Sequence, residues 1–359
     1  MSSGSARLTY LDGLRRWAPV VVLLYHAFCD GFPPMPFAAT TLRRFLPFNA
    51  DIAVMLFFLI SGFVLAVPYV GTAKRKTIPR LAVGRYFRLA IPIFAACALV
   101  ELLLRIGWIE PLAARHPPFN TMLAFAPSVG HLLRFGLWDV FFDYAQRDSY
   151  IGPLWTMQIE LAGSALVLGL QAVIGAWRWR DAAYLIIASV LLALNSFQAL
   201  FVIGLLLSGH QSVLASKAFR RAAPLLLASA IVLPFVLPPA VITPAAMLLP
   251  ICLLLAVAAL PLARRLLTTR LSRVLGRLSF PLYLVHGPVL WVVGIPLATG
   301  RGPLATAGAD LLIVIVSFAA AAAFAPANTA GIAVARWAGK LVAPVTSQSP
   351  ALALRTVQD

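Results

Sequence analysis

Residues 245–260 read AAMLLPICLLLAVAAL, a stretch without a charge, an amide or a hydroxyl side chain. A lipid-facing barrel strand would have to alternate in polarity, and this stretch does not, so a transmembrane β-barrel is excluded. A soluble surface helix would show a polar face recurring every three or four residues, and none is present. Working outward, runs of the same character recur from end to end of the 359-residue chain. Each is near the twenty residues needed to cross a hydrocarbon core about 30 Å thick as a helix. Hydrophobic residues make up 61% and charged residues only 11%, well below the quarter charged that is usual in soluble domains. The expected fold class is all-α: a polytopic transmembrane helical bundle of about ten helices.

The spans read as roughly 16–32, 51–70, 89–108, 152–176, 182–195, 197–211, 224–238, 241–263, 278–298 and 307–327. Pro234, Pro238, Pro239, Pro244 and Pro250 interrupt the seventh and eighth. A membrane tolerates such breaks only where neighbouring helices or water re-satisfy the backbone. The net charge of +17 would suit nucleic acid, but the bases sit in short clusters between apolar runs. That is the positive-inside pattern of membrane loops, so the expected partner is the lipid bilayer and not nucleic acid. All but seven of the 29 Lys and Arg fall on one side of this map; Arg43, Arg44, Arg105, Arg115, Arg134, Arg147 and Arg301 are left on the other. The split implies cytoplasmic N- and C-termini. Residues 1–341 then form one integral membrane domain, and 342–359 a short polar cytoplasmic tail. The longest outward loop, about 109–151, carries His116, His131, Asp139, Asp143 and Asp148. The N-terminus, with Arg7, Arg15 and Arg16 before a first span followed by more spans, does not read as a cleavable signal peptide. Cys29, Cys97 and Cys252 lie in or beside spans and suggest neither a disulfide framework nor a metal site.

Ionisable groups inside spans are expensive, and each is a functional candidate. Arg15 and His26 lie eleven residues apart in the stretch that begins Leu11-Asp12-Gly13-Leu14-Arg15. Eleven helical steps come within about 20° of whole turns, so both side chains point the same way about 16 Å apart. They are placed to hold the two ends of one long ligand, an anionic group at the cytoplasmic mouth and a reactive group inside. On the same map His26 lies about 15 Å into the core, Ser61 about 15 Å, and Glu160 and His286 about 12 Å. Depth carries no lateral information. A neutral imidazole at such a depth can take a proton from a hydroxyl or receive an acyl group itself, and Glu160 could orient it or stabilise its cation. The bland readings stand beside these. A helix histidine often only bonds a neighbouring backbone, Ser61 beside Gly62 suits close packing, and Arg85 with Arg88 suits positive-inside charge.

Five segments, in order, resemble a known family. They are YLDGLRRWAPVVVLLYHAF at 10–28 with Arg15 and His26, FFLISGFVL at 57–65, and RYFRLAIPIF at 85–94 with Arg85 and Arg88. PLWTMQIELAG at 153–163, with Trp155 and Glu160, and LGRLSFPLYLVHGPVL at 275–290, with Tyr283 and His286, complete the set. The chain is similar over most of its length to the membrane-bound acyltransferase family 3, which includes bacterial O-antigen and exopolysaccharide O-acetyltransferases. Thr156, Gln158, Ala162 and Arg16 depart from the residues usual there. The resemblance implies a multi-pass protein of the bacterial cytoplasmic (inner) membrane, with no tightly bound cofactor. It implies an acyl-coenzyme A donor, acetyl being the commonest, entering from the cytoplasm. It also implies an acceptor hydroxyl on a glycan, glycolipid or small molecule reached from the other side. His26 and Glu160 are the expected catalytic residues, and Arg15, Arg85 and Arg88 the expected grip on the donor's phosphates. Asp12, Ser61, Trp155, Tyr283 and His286 are expected to contact substrate or support these. A transporter or flippase moving a polar substrate without transfer chemistry is the competing reading, since midplane polar residues and proline-broken helices suit passage too. A structural subunit is the third, although it would not need Arg15 and His26 in register.

Overall fold

The computed structural model describes residues 9–30, 40–67, 78–109, 122–214, 216–237, 243–298 and 303–342. Arg7, the cluster Lys74, Arg75 and Lys76, then Arg115, His116, Arg301 and Arg355 fall outside them, as does the tail beyond residue 342. Among the described residues every regular element is helical. Helix α1 (Thr9–Tyr25) runs on into a π-helical turn, His26–Asp30. Next come α2 (Ala50–Ala66), α3 (Ile78–Arg105) and the short α4 (Val129–Arg134), which leads into a second π-turn, Phe135–Asp139. Then follow α5 (Trp155–Val173), α6 (Arg180–Ala193), α7 (Gln198–Gly209) and α8 (Lys217–Val236). The last are α9 (Pro244–Ala259), α10 (Pro261–Leu267), α11 (Arg270–Val289) with a third π-turn at Leu290–Gly294, and α12 (Pro303–Leu341).

Several starts are fixed by short polar residues. Asn49, Ser216, Thr243 and Thr269 accept the backbone N–H groups of Ile52, Phe219, Ala246 and Ser272, the usual way of satisfying the free donors of a first turn. Among the described residues four helices are long and apolar enough to cross a membrane: α3, α5 extended back to Gly152, α8 and α12. A fifth is added if α9 and α10 form one broken span. They meet at 97°, so the expected continuous run 241–263 is in fact bent. The cause is Pro261, which has no N–H to continue the ladder and forces Leu260 into an extended conformation (φ −92°, ψ 113°). Two helices run well past the expected spans. Helix α3 begins at Ile78, not near 89, and so includes Arg80, Arg85 and Arg88. Helix α12 has 39 residues, about 58 Å at the α-helical rise, because its alanine-rich continuation holds the helix where hydropathy falls.

Among the described residues three large apolar clusters and a small one around Ala18, Val22 and Ala53 hold the bundle. One, around Phe58, Phe63 and Phe201, joins α2 to α5, α6, α7 and α9. There α2 and α7 touch backbone to backbone: a Cβ on Gly62 would collide with the Phe201 carbonyl, and one on Gly204 with the Leu59 carbonyl. A second cluster, with Ile93, Cys97, Tyr150 and Leu284, ties α3 and the 122–154 segment to α11. The third packs Leu23 of α1 against Leu282 and Val285 of α11 and Ile313 of α12. It is this packing that sets α1 and α11 side by side at the level of their histidines.

Candidate active site

A cavity of about 270 Å³ opens between α1, α2, α5 and α11. Two of the three π-turns form part of its wall, through His26 at the start of one and Leu290 and Trp291 at the start of another. A π-turn widens the helix and re-aims its side chains, a device common at functional sites. His26 and His286 both line the cavity with their rings stacked, centroids 5.4 Å apart and planes at 27°. His286 is fully buried, and its Nδ1 lies 3.0 Å from the Leu282 carbonyl. A carbonyl only accepts, so Nδ1 carries the hydrogen and Nε2 presents a lone pair, which has no hydrogen-bond partner among the described residues. Tyr283, one turn earlier, donates to the Pro153 carbonyl at 2.5 Å, and its oxygen is 2.5 Å from that of Thr156. Trp155 packs against Phe197 on the facing wall, ring centroids 5.8 Å apart. Asp51, Gln146 and Gly152 rim the same cavity at the N-terminal ends of α2 and α5.

Ser61 and Glu160 belong to a second constellation. Glu160, on α5 one turn beyond Thr156, is fully buried and ion-paired with Arg85 of α3. Ser61 of α2 donates to the same carboxylate oxygen at 2.9 Å. Arg85 donates through Nε to Ser164 Oγ at 3.1 Å, and Ser164 donates to the Glu160 carbonyl at 2.7 Å. The expected midplane layer is thus divided: His26 sits with His286, and Glu160 sits with Arg85 and Ser61. The depth estimate put all four at similar levels, and their contacts divide them into two groups.

The arginines gather at the end of this second network. Arg85 feels the charges of Arg15 and Arg88, and Arg88 those of Arg15 and Arg336. Arg15 also lies over the Phe57 ring, 4.9 Å from its centroid, and feels the carboxylate of Asp12. The molecule therefore carries a polar column, from the rimmed cavity through the histidine pair, past Glu160 and Arg85, to a basic cluster where α1, α3 and α12 meet. Sequence reasoning had no role for Thr156, Ser164 or Arg336. Thr156 and Ser164 lie four residues on either side of Glu160, so helical spacing could have found both.

A family model described as an acyltransferase domain, of the third acyltransferase type, matches residues 8–325. No curated protein and no solved structure matches the chain.

Proposed function

The chain belongs to acyltransferase family 3, and on that premise we propose that it is an integral membrane O-acyltransferase using an acyl-coenzyme A donor. That it is an acyltransferase of some kind follows from the family; donor, acceptor and mechanism are the proposal. The observation that carries it is the stacked His26–His286 pair in the cavity wall, with a basic cluster on the far side of the Glu160–Arg85 pair. In this reading the bundle crosses the bacterial cytoplasmic membrane about ten times with both termini inside, which the charge distribution supports. The donor's phosphates lie against Arg15, Arg85 and Arg88 through charge-assisted bonds, and the acyl thioester reaches inward to His26. A hydroxyl of an extracytoplasmic glycan, glycolipid or small acceptor enters through the rim of Asp51, Gln146 and Gly152.

His26 takes the proton of that hydroxyl as its oxygen attacks the thioester carbonyl. The new C–O bond forms, the C–S bond breaks, and the departing thiolate recovers the proton from His26. Transfer through an acyl-histidine reaches the same products in two steps. His286, held by its Nδ1–H bond to Leu282, fixes the stacking surface on which His26 turns. Glu160 assists by holding Arg85 where the donor passes. Tyr283 and Trp155 shape the acceptor's side, and Asp12 steadies Arg15. The test gives the protein in nanodiscs acetyl-coenzyme A labelled in the acyl group, together with envelope glycolipids as acceptors. We expect label in the acceptor fraction, reduced about 100-fold or more in His26→Ala. Full transfer by that variant would sink the mechanism. Movement of the acceptor across the membrane without label would favour a transporter.

A further inference from the structure

We infer that Arg336, on α12 beyond the family match, is a fourth donor-binding arginine and contacts a phosphate of the donor. The inference rests on the reading above and adds a residue that neither the family match nor the sequence motifs include.

The placement comes from how α12 packs on α3. Gly84, Arg88 and Pro92 recur every four residues on one stripe of α3, and Gly331, Ala335 and Gly339 do the same on α12. A Cβ on Gly331 would stand 2.8 Å from the Pro92 ring and 3.5 Å from the Arg88 carbonyl. One on Gly84 would stand 3.3 Å from the Ala335 carbonyl, and one on Gly339 3.0 Å from Arg80. The stripes run antiparallel with almost no side chain between them. That close approach fixes both the height and the rotation of α12, and the residue after Ala335 is delivered to the flank of the seam beside Arg88. Arg336 is half-buried there, and Arg88 feels its charge.

Charge balance then calls for a ligand. Arg85 has Glu160, and Arg15 has Asp12 close by. Among the described residues neither Arg88 nor Arg336 has an ion-pair partner, and Arg88 feels the charges of both Arg15 and Arg336. Like charges gathered in a partly desolvated site repel strongly, and a bound polyanion turns that repulsion into attraction. Guanidinium groups fixed on two helices suit phosphate, which accepts paired N–H bonds. The three phosphate groups of the proposed donor carry about four negative charges at neutral pH, because the 3′-monoester ionises nearly twice, so a fourth cation has a matching charge.

The experiment compares wild type, Arg336→Ala, Arg336→Lys and the exposed control Lys340→Ala in phosphatidylcholine nanodiscs. Two probes are used: binding of 3′-phospho-ADP by calorimetry, and KM for acetyl-coenzyme A against acetyl-pantetheine, which lacks the nucleotide phosphates. We expect Arg336→Ala to weaken 3′-phospho-ADP binding and raise KM for acetyl-coenzyme A about tenfold or more, with kcat little changed. Arg336→Lys should recover part of the loss, and KM for acetyl-pantetheine should not move. Equal loss with both donors would make Arg336 structural and overturn the inference, as would unchanged nucleotide affinity in Arg336→Ala. Co-purifying anionic lipid lost only in Arg336→Ala, with no nucleotide bound by wild type, would overturn it in favour of a headgroup site. Nucleotide binding reads the cluster whether or not transfer occurs. Loss of the proposed reaction and loss of this inference are therefore distinguishable.

Discussion

Glu160 shows how a buried charge is kept. Its carboxylate has Arg85 and Ser61 on one oxygen, and its helix supplies Ser164 to tie Arg85 on the other side. Removing one partner of such a pair leaves an uncompensated charge in a low-dielectric site, which typically costs about 3–5 kcal/mol. Glu160→Gln is therefore expected to lower thermal stability markedly in detergent, while Ser61→Ala, which leaves the ion pair intact, costs only about 1 kcal/mol. A melting curve for Glu160→Gln that overlays wild type would show that the pair is not the anchor described. At this scale the sequence was partly legible. Arg15 lies on α1 and His26 opens the π-turn that continues it, so spacing along one segment was enough to relate them. Glu160 and Arg85 lie on different helices, and no periodicity within either reports which face meets which. The same limit hid the stacking of His26 on His286, which depends on the packing of Leu23 against Leu282 and Val285.

At the scale of elements, the caps that fix several helix starts came only with the structure, while apolar length announced the helices themselves. What it did not announce were the local departures: the 97° bend at Pro261, the π-turns, and the length of α12. The bend could have been read from Leu260-Pro261, because a proline cannot continue a helix without losing a bond. The π-turns could not, since they arise where tertiary contacts favour an extra residue in the turn. The glycine contacts are a further element-scale device. At Gly204 a side chain would run into the Leu59 carbonyl and the Phe63 amide, which cannot move without breaking α2. Gly204→Val is expected to separate α2 from α7 and give a protein that fails to fold or melts far below wild type. Gly204→Ala should be milder in the same direction. Monodisperse, wild-type-like size-exclusion and melting profiles for the valine variant would contradict that packing.

For the whole molecule, the polar column joins two ends of different character. One end is a rimmed cavity, and the other is a basic cluster made by α1, α3 and α12. In the proposed topology the basic end, and with it the C-terminal part of α12, faces the cytoplasm. A fluorescent protein fused after residue 359 should therefore be bright, and alkaline phosphatase at the same place inactive. The reverse pattern would mean that both termini lie outside and the column is inverted. The same fusions placed after Gln146, at the cavity rim, should give the opposite result.

The cavity has one more consequence, and it concerns solvent. A space of about 270 Å³ bordered by Asp51, Gln146, Thr156 and two histidines is polar enough and roomy enough to hold several waters. Water is itself a hydroxyl nucleophile, present there at far higher concentration than any acceptor. In the proposed mechanism a base at His26 does not distinguish the two by chemistry. Selectivity must then come from occupancy: an acceptor that fills the chamber expels its competitor before the thioester meets the imidazole. On that proposal, an unfilled chamber would make the same residues a slow thioesterase. Thrift with the activated acyl group thus depends on the shape of the acceptor more than on the strength of the base.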